Sequence, residues 1–365
     1  MESMGIIIIY NFTGIKRLKK MKHLLKILFL LPLFLSCTNA QEDFIPIPEE
    51  VQTAIGFNAK ALDSRAAVSS VSDIDTFKVY AVMSEEPDEK YEQGSDVDYN
   101  HILEGEKVYW NASLNTGQGG YTYDNPQYWV NDRAFHFFGC YPYDTTTELD
   151  DDGISYNLEY SATIESAQNK DDLLTFHYST HTEANQTVYP AVPVTFNRAL
   201  TQISSEITQD FESNPYDKFC VTSVTFSGIS AGGTLTTSRF DKTGQWHLTD
   251  DKLSFSKEYT APGEQLAANP LTVFDGLNLV PQKIDNNNNK IAFIVNYTYQ
   301  QGDSDELTGE VENKTATIYL PISEWLPGKK YNYKLVLYKN NLIVFSNIVV
   351  STWGEQPDAG TIIIK

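Results

Sequence analysis

Apolar and polar residues alternate in short stretches along most of the chain beyond residue 50. A period near two over short runs is typical of β-strands that bury one face, and the abundant Tyr, Phe, Thr, Val and Ile favour strands. Turn-forming sequences such as Ala231-Gly232-Gly233 and Pro327-Gly328 separate the runs. No long amphipathic helical pattern stands out. The chain is therefore predicted to be all-β, with its strands packed as sandwiches. The main strands are predicted at 53–61, 76–82, 107–110, 134–138, 194–196, 221–226, 291–299, 315–320, 331–338, 342–350 and 361–364.

One interruption of this pattern predicts a domain boundary. The sequence Tyr189-Pro190-Ala191-Val192-Pro193 breaks the alternation before a new strand pattern begins. A chain of 365 residues with 41% hydrophobic residues is long and apolar enough for two ordinary domains. We expect them at 66–190 and 191–365.

The N-terminus has the pattern of an export signal. From Met21, a basic start leads into an apolar run of about ten residues, too short to span a bilayer but sufficient for a signal-peptide core. The run ends at Ser36 directly before Cys37, as in lipoprotein signal peptidase sites, although Phe34 departs from the strictest form of that motif. We expect residues 1–36 to be the signal peptide, with Met21 as the alternative start, and Cys37 to be lipidated. A plain cleaved signal peptide with an incidental cysteine is the alternative.

The charge balance argues against nucleic acid as a partner. The chain has 27 basic and 48 acidic residues, for a net charge of −21, whereas phosphate binding needs clustered Lys and Arg. The dense basic cluster at 16–22 precedes the apolar run. Cys140 and Cys220 lie within apolar sequences and are expected to be small buried core residues.

No motif predicts catalysis, a metal or a cofactor. His136 and His177 lie in strand patterns, are expected to be half-exposed, and lack metal-ligand spacing. Asp96-Val97-Asp98 begins like a calcium loop, but position six is His101 instead of Gly and position twelve is Lys107 instead of Glu. Neither a nucleophile elbow nor a phosphate-binding glycine loop occurs. The sequence therefore predicts a protein that is not an enzyme.

An ordered series of short sequences resembles the fimbrillin family, the subunits of type V pili. The similarity runs from the lipoprotein signal to the C-terminus. The resemblance implies two tandem transthyretin-like Greek-key β-sandwich domains. The sequences that carry it are Phe77-Lys78-Val79-Tyr80, Phe135 to Tyr143, Val194 to Ile203, Leu279-Val280-Pro281-Gln282, Trp325 to Tyr333, and Trp353.

The resemblance also implies a maturation step. Family precursors are exported as lipoproteins and cut after an Arg in the loop that follows the first strand, which opens an apolar groove. The matching bond joins Arg65 and Ala66, after the strand predicted at 53–61. Cleavage there would remove a lipidated leader, residues 37–65. The alternative is that Arg65 is an ordinary surface residue.

The C-terminus offers a candidate donor strand for such a groove. Apolar residues recur there and could be inserted into a neighbouring subunit by β-augmentation or folded back on their own domain. They are Ile343, Phe345, Ile348, Val350, Ile362 and Ile364.

The resulting functional hypothesis is a stalk or tip subunit of a fimbria. Its expected partners are other fimbrial subunits, the outer membrane through the lipid of the precursor, and a ligand on a host or bacterial surface. It would lie at the outer membrane, surface-exposed, and in the fimbrium after maturation. One alternative is an anchor subunit that keeps its lipid. The other is a glycan-binding surface lipoprotein that uses Trp110, Trp129 or Trp246 as aromatic platforms.

Overall fold

The computed structural model describes residues of the chain between 52 and 362. They are 52–60, 74–85, 99–149, 155–169, 171–212, 215–238, 241, 244–285, 290–304, 306–352 and 361–362. β-Strands dominate, and the α-helix in these ranges is the short α1, Ile164–Asn169. The predicted all-β class is confirmed. Among the described residues, no helix has the length and apolar character needed to cross a bilayer.

The strands are short, as the alternating pattern predicts. In chain order they are β1 Phe57–Lys60, β2 Thr76–Ser84, β3 Tyr99–Asn111, β4 Gly120–Thr122, β5 Ala134–Tyr141, β6 Thr147–Leu149, β7 Ser155–Ser161, β8 Leu174–His181, β9 Val192–Thr195, β10 Asn197–Arg198, β11 Thr201–Gln209, β12 Lys218–Ser230, β13 Gly232–Ser238, β14 Gln245–Leu248, β15 Lys252–Glu258, β16 Glu264–Gln265, β17 Leu271–Leu279, β18 Ala292–Gln300, β19 Gly302–Asp303, β20 Glu306–Leu307, β21 Glu312–Tyr319, β22 Lys329–Leu337, β23 Ile343–Thr352 and β24 Thr361–Ile362.

The N-terminal half is built around an eight-stranded sheet in the order β10-β8-β5-β2-β3-β4-β1-β9. β9 pairs with β1 in parallel, and β10 pairs with β8 antiparallel. Only Phe196 separates β9 from β10, so residues 192–198 join the two outer strands of the sheet. The sheet thereby encloses an aromatic core in which Phe77, Phe176 and Phe196 meet edge to face.

A second sheet, in the order β14-β13-β7-β6, covers part of the outer face of the first. Consecutive side chains of a strand point to opposite faces. In β5, Phe137 accordingly lies in the enclosed core, whereas Phe138 packs with Tyr156 and Leu235 under the second sheet. Both faces of β5 are therefore buried.

The C-terminal half is a sandwich of two five-stranded sheets around its own apolar core. One sheet has the order β17-β11-β22-β23-β24, and the other has β15-β12-β18-β21 with β16 added to β12. Phe226 and Phe293 stack at 4.3 Å between ring centroids in this core. Trp325 and Tyr333 are also fully buried there.

Pairing between strands crosses the boundary predicted near residue 190. The strands at 192–198 complete the first sheet, and β13 from the C-terminal half pairs with β7 over its whole length. The domain ranges 66–190 and 191–365 stay a prediction.

Two histidines are more buried than the sequence indicated. His136 is 0% exposed and His177 is 8% exposed, so the expectation of half-exposed positions was wrong. The second sheet covers the face on which they lie, and Thr237 of β13 is within hydrogen-bond distance of His177. Cys140 and Cys220 are buried, as expected, and neither forms a disulfide.

Candidate functional site

The first strand, which the resemblance implies is removed, lies inside the eight-stranded sheet. β1 has β4 on one side and β9 on the other. Its pairing with β4 consists of Phe57 opposite Tyr121, whereas its parallel pairing with β9 extends over all four residues. Loss of β1 would therefore free the edges of two strands at once.

The side chains of this segment are part of the enclosed core. Ile55, Phe57 and Ala59 alternate along the chain and are 2%, 5% and 2% exposed. The Phe57 ring meets those of Tyr123 and Phe137 edge to face, with centroid distances of 5.6 and 6.1 Å. The slot that holds Phe57 is thus lined with aromatic rings contributed by distant segments of the chain.

Backbone hydrogen bonds extend the same contacts to residues before β1. Ile55 N–H donates to Gln127 O at 2.8 Å, and Trp129 N–H donates to Thr53 O at 3.0 Å. The Tyr123 hydroxyl donates to Ile55 O at 3.1 Å. Burial raises the pKa of the Tyr123 phenol, which stays a neutral donor at physiological pH. Without residues 52–60, these groups would lose their partners.

Four residues predicted to take part in lipidation, cleavage or strand donation lie outside the described ranges. They are Cys37, Arg65, Ala66 and Ile364. The strand predicted at 53–61 corresponds to β1 together with an isolated bridge between Ala54 and Tyr128. Residues 52–60 are called the leader strand below.

The candidate donor residues at 343–350 lie within the sandwich of their own chain. Ile343, Phe345 and Ile348 are buried in its core, and Val350 packs against it. β23 pairs with β22 along its length, from Leu337 opposite Ile343 to Lys329 opposite Thr352. This placement corresponds to the folded-back alternative for these four residues.

Among the described residues, the last strand has far fewer pairings. β24 pairs with β23 at two positions, Ile348 opposite Ile362 and Val349 opposite Thr361. It is also the outermost strand of its sheet. Releasing β24 breaks fewer hydrogen bonds than releasing β23.

Of the three candidate sugar platforms, one is clearly exposed. Trp110 is 42% exposed. Trp129 is 8% exposed and stacks on Tyr189 at 5.6 Å. Trp246 is half-buried, and its indole N–H donates to Ala199 O at 3.2 Å. Each of these tryptophans packs against a different tyrosine: Trp110 against Tyr121, Trp129 against Tyr189, and Trp246 against Tyr160.

Metal-binding chemistry is not assembled in the described part of the chain. Within those ranges, no group of three His, Cys, Asp or Glu side chains could hold a metal ion. Burial raises the pKa of the Cys140 thiol to about 12, so it is protonated at neutral pH and a poor nucleophile.

Sequence reasoning missed the closing segment 192–198 and the role of Tyr123. The sequence predicts a strand at 194–196 but places Val192 in the break before it, and no local signal shows that this segment pairs with β1. Tyr123 follows β4 immediately and has no neighbouring motif. Tyr123 lines the slot that holds Phe57 and donates a hydrogen bond to Ile55, and both of these residues lie more than 60 positions earlier in the sequence.

Comparison with known proteins identifies similar sequences and folds. A family model described as fimbrillin-like matches residues 64–353. A fimbrial protein from Bacteroides vulgatus is 16% identical, with a TM-score of 0.57 over 82% of this chain and 99% of that chain. A proposed cell adhesion protein from Bacteroides ovatus is 14% identical, with a TM-score of 0.45 over 83% of this chain and 98% of that one. No curated protein matches the chain. The first structural likeness shows a shared fold.

Proposed function

Because the chain belongs to the fimbrillin-like family, we propose that it is a stalk or tip subunit of a bacterial fimbria that polymerises by strand donation. Family membership makes it a structural, non-enzymatic protein of the cell surface. The finer proposal is export as a lipoprotein acylated at Cys37, followed by cleavage between Arg65 and Ala66. Its partners are other fimbrial subunits, the outer membrane through the lipid of the precursor, and a ligand on a host or bacterial surface.

The position of the leader strand carries this proposal. β1 fills a slot between β4 and β9 with the apolar side chains Ile55, Phe57 and Ala59. Loss of β1 would expose apolar surface to water, which costs about 25 cal/mol of free energy per Å². It would also leave backbone N–H and C=O groups of the neighbouring strands without partners. A strand from another subunit would satisfy both, which is the physical basis of β-augmentation.

The contacts of the C-terminus favour its last residues as the donor. Withdrawing β23 would break its pairing with β22 and remove Ile343, Phe345 and Ile348 from their core. Withdrawing β24 breaks two residue pairs. We therefore assign Ile362 and Ile364 to the donated segment and keep residues 343–350 in their own sandwich.

Such a contact joins different surfaces of the two subunits. A head-to-tail interface that does not close on itself produces a fibre, because each added subunit presents the next free slot. One inserted strand per subunit would thus be enough to build a filament.

An Arg-specific protease tests the proposal. The exported chain is treated with the protease, and the product is examined by N-terminal sequencing and by gel electrophoresis without boiling. A product that begins at Ala66 and forms a ladder of oligomers supports the proposal. The variant Arg65→Gln should stay uncut there and monomeric.

Two results would contradict it. A chain that stays whole and acylated indicates an anchor subunit. A cut chain that keeps residues 37–65 bound and stays monomeric shows that the leader strand is not exchanged.

A further inference from the structure

The second sheet ends in a strand with an open edge. β14 is its outermost strand, and no described strand pairs with its outer side. On the inner side, Thr249 N–H donates to Gly232 O at 3.0 Å, in phase with the β13–β14 register. In an antiparallel pair, alternate residues exchange both backbone bonds. The N–H and C=O groups of Trp246 and Leu248 therefore point to the outer edge.

A groove of about 800 Å³ runs along this edge. Its lining includes each residue from Gly244 to Leu248. Successive side chains of a strand point to opposite faces, so a groove that touches all of them lies beside the strand. The opposite wall consists of Pro281, Gln282, Lys283, Glu324, Trp325 and Pro327.

Backbone bonds fix the opposite wall in place. Trp325 N–H donates to Gln282 O at 2.9 Å, and Lys283 lies opposite Glu324 in an antiparallel bridge. Pro281, Gln282 and Trp325 are buried, so this wall is rigid and presents little side-chain surface at its base. Lys283 and Glu324 balance each other in charge, so the groove is close to neutral in a protein of net charge −21.

We infer that this groove binds an extended, uncharged segment of another polypeptide, which adds a fifth strand to the second sheet. Trp246 and Leu248 each offer one donor and one acceptor at the spacing of a β-strand. The groove is formed in the uncleaved chain, so this inference does not depend on the exchange of the leader strand.

The tryptophans of the groove favour a peptide over a sugar. Trp325 is 2% exposed, and its indole N–H donates to the Tyr333 hydroxyl. The Trp246 indole N–H donates to Ala199 O. Both polar ring atoms are therefore used within the protein, and the outward backbone groups of β14 are the main source of hydrogen bonds.

Backbone methylation of a peptide tests the inference. The uncleaved chain is titrated into fluorescein-labelled Thr-Val-Thr-Val-Thr-Val-Thr, and binding is measured by fluorescence anisotropy. Two matched peptides carry N-methyl groups on either the Val or the Thr residues, which block opposite edges of the extended peptide. One of them should bind at least about tenfold more weakly than the parent peptide, and the other should bind like the parent.

A protein variant locates the binding site. Leu248→Pro removes an outward N–H group and leaves the inner ladder intact, so it should weaken binding of the parent peptide about tenfold or more. Glu148→Ala alters an exposed side chain on β6, the strand at the opposite edge of the same sheet, and should have little effect. If Leu248→Pro does not fold by circular dichroism, the methylated peptides decide the question alone.

Three results would overturn the inference. The first is that the parent peptide does not bind, and the second is that the two methylated peptides bind equally well. The third is that the protein binds cellohexaose but not the peptide. The last result would assign the groove to a glycan.

Discussion

The carboxylate of Asp172 forms an ion pair with the guanidinium of Arg198 where β10 meets β8. Their side chains are 3% and 5% exposed. Burial lowers the pKa of Arg198 to about 10, so the group is still charged at neutral pH. Arg198 ends the segment that closes the eight-stranded sheet, and Ala199 N–H donates to Leu173 O directly beside it. The ion pair therefore holds the closing segment in place.

Removing one partner of this ion pair should strongly lower the stability of the protein. Asp172→Asn leaves a buried guanidinium without its counter-charge, and we expect the free energy of unfolding to fall by about 3–5 kcal/mol. Urea denaturation followed by tryptophan fluorescence measures it. Glu206→Gln is the matched control, because the Lys334–Glu206 pair is partly exposed and should contribute no more than about 1 kcal/mol. Equal losses in both variants would contradict the assigned role of burial.

The leader strand should depend on Phe57 for its stability. Phe57→Ala empties an aromatic slot, and we expect a loss of about 3 kcal/mol or more in the uncleaved chain. Asn58→Ala changes the exposed neighbour on the same strand and should cost much less. Chemical denaturation of both variants checks the prediction. A loss of similar size for Asn58→Ala would show that the slot is not the main contact.

The buried tyrosines should make the protein sensitive to alkali. Burial, and secondarily the charge of Asp75, raises the pKa of Tyr121 to about 12, and its hydroxyl donates to Ile74 O at 2.7 Å. The unfolded chain ionises near pH 10, so the stability from this group is complete below that pH and is lost as the pH rises towards 12.

Absorbance at 295 nm during a pH titration measures this effect, with circular dichroism as the readout of unfolding. Tyr121→Phe should lose less stability between pH 10 and 12 than the unaltered chain does. Its stability at pH 7 reports the lost hydrogen bond separately, at about 1 kcal/mol. An identical alkaline midpoint in both proteins would count against the assignment.

A truncation should separate folding from assembly. Ending the chain after Thr352 removes β24 and its two residue pairs while leaving β23 in place. We expect the truncated monomer to keep its unfolding midpoint within a few degrees. After Arg-specific cleavage it should form no oligomer ladder, as judged by gel filtration. Oligomers as long as those of the full chain would exclude residues 353–365 as the donor.

Local patterns predicted the strands well because alternation is a property of neighbouring residues. The sequences around Phe77 and Tyr333 predict strands, and the structure places them as β2 and β22. β22 buries alternate side chains, whereas β2 buries four in succession, from Val79 to Val82. Local patterns do not specify the order of the strands in the sheets, because strand pairing joins residues that are far apart in sequence. β11, for example, lies parallel to β22 with Gln202 opposite Lys330.

The sequence alone determined the all-β class, the resemblance to fimbrillins and the apolar alternation of Ile55, Phe57 and Ala59. Only the tertiary structure decided that β1 lies between β4 and β9, that residues 192–198 close the sheet, and that both faces of β5 are covered. The physical reason is that side-chain alternation specifies which face a residue occupies. What covers that face depends on packing between distant segments, which brought His136 into the interior although its neighbours predicted a half-exposed position.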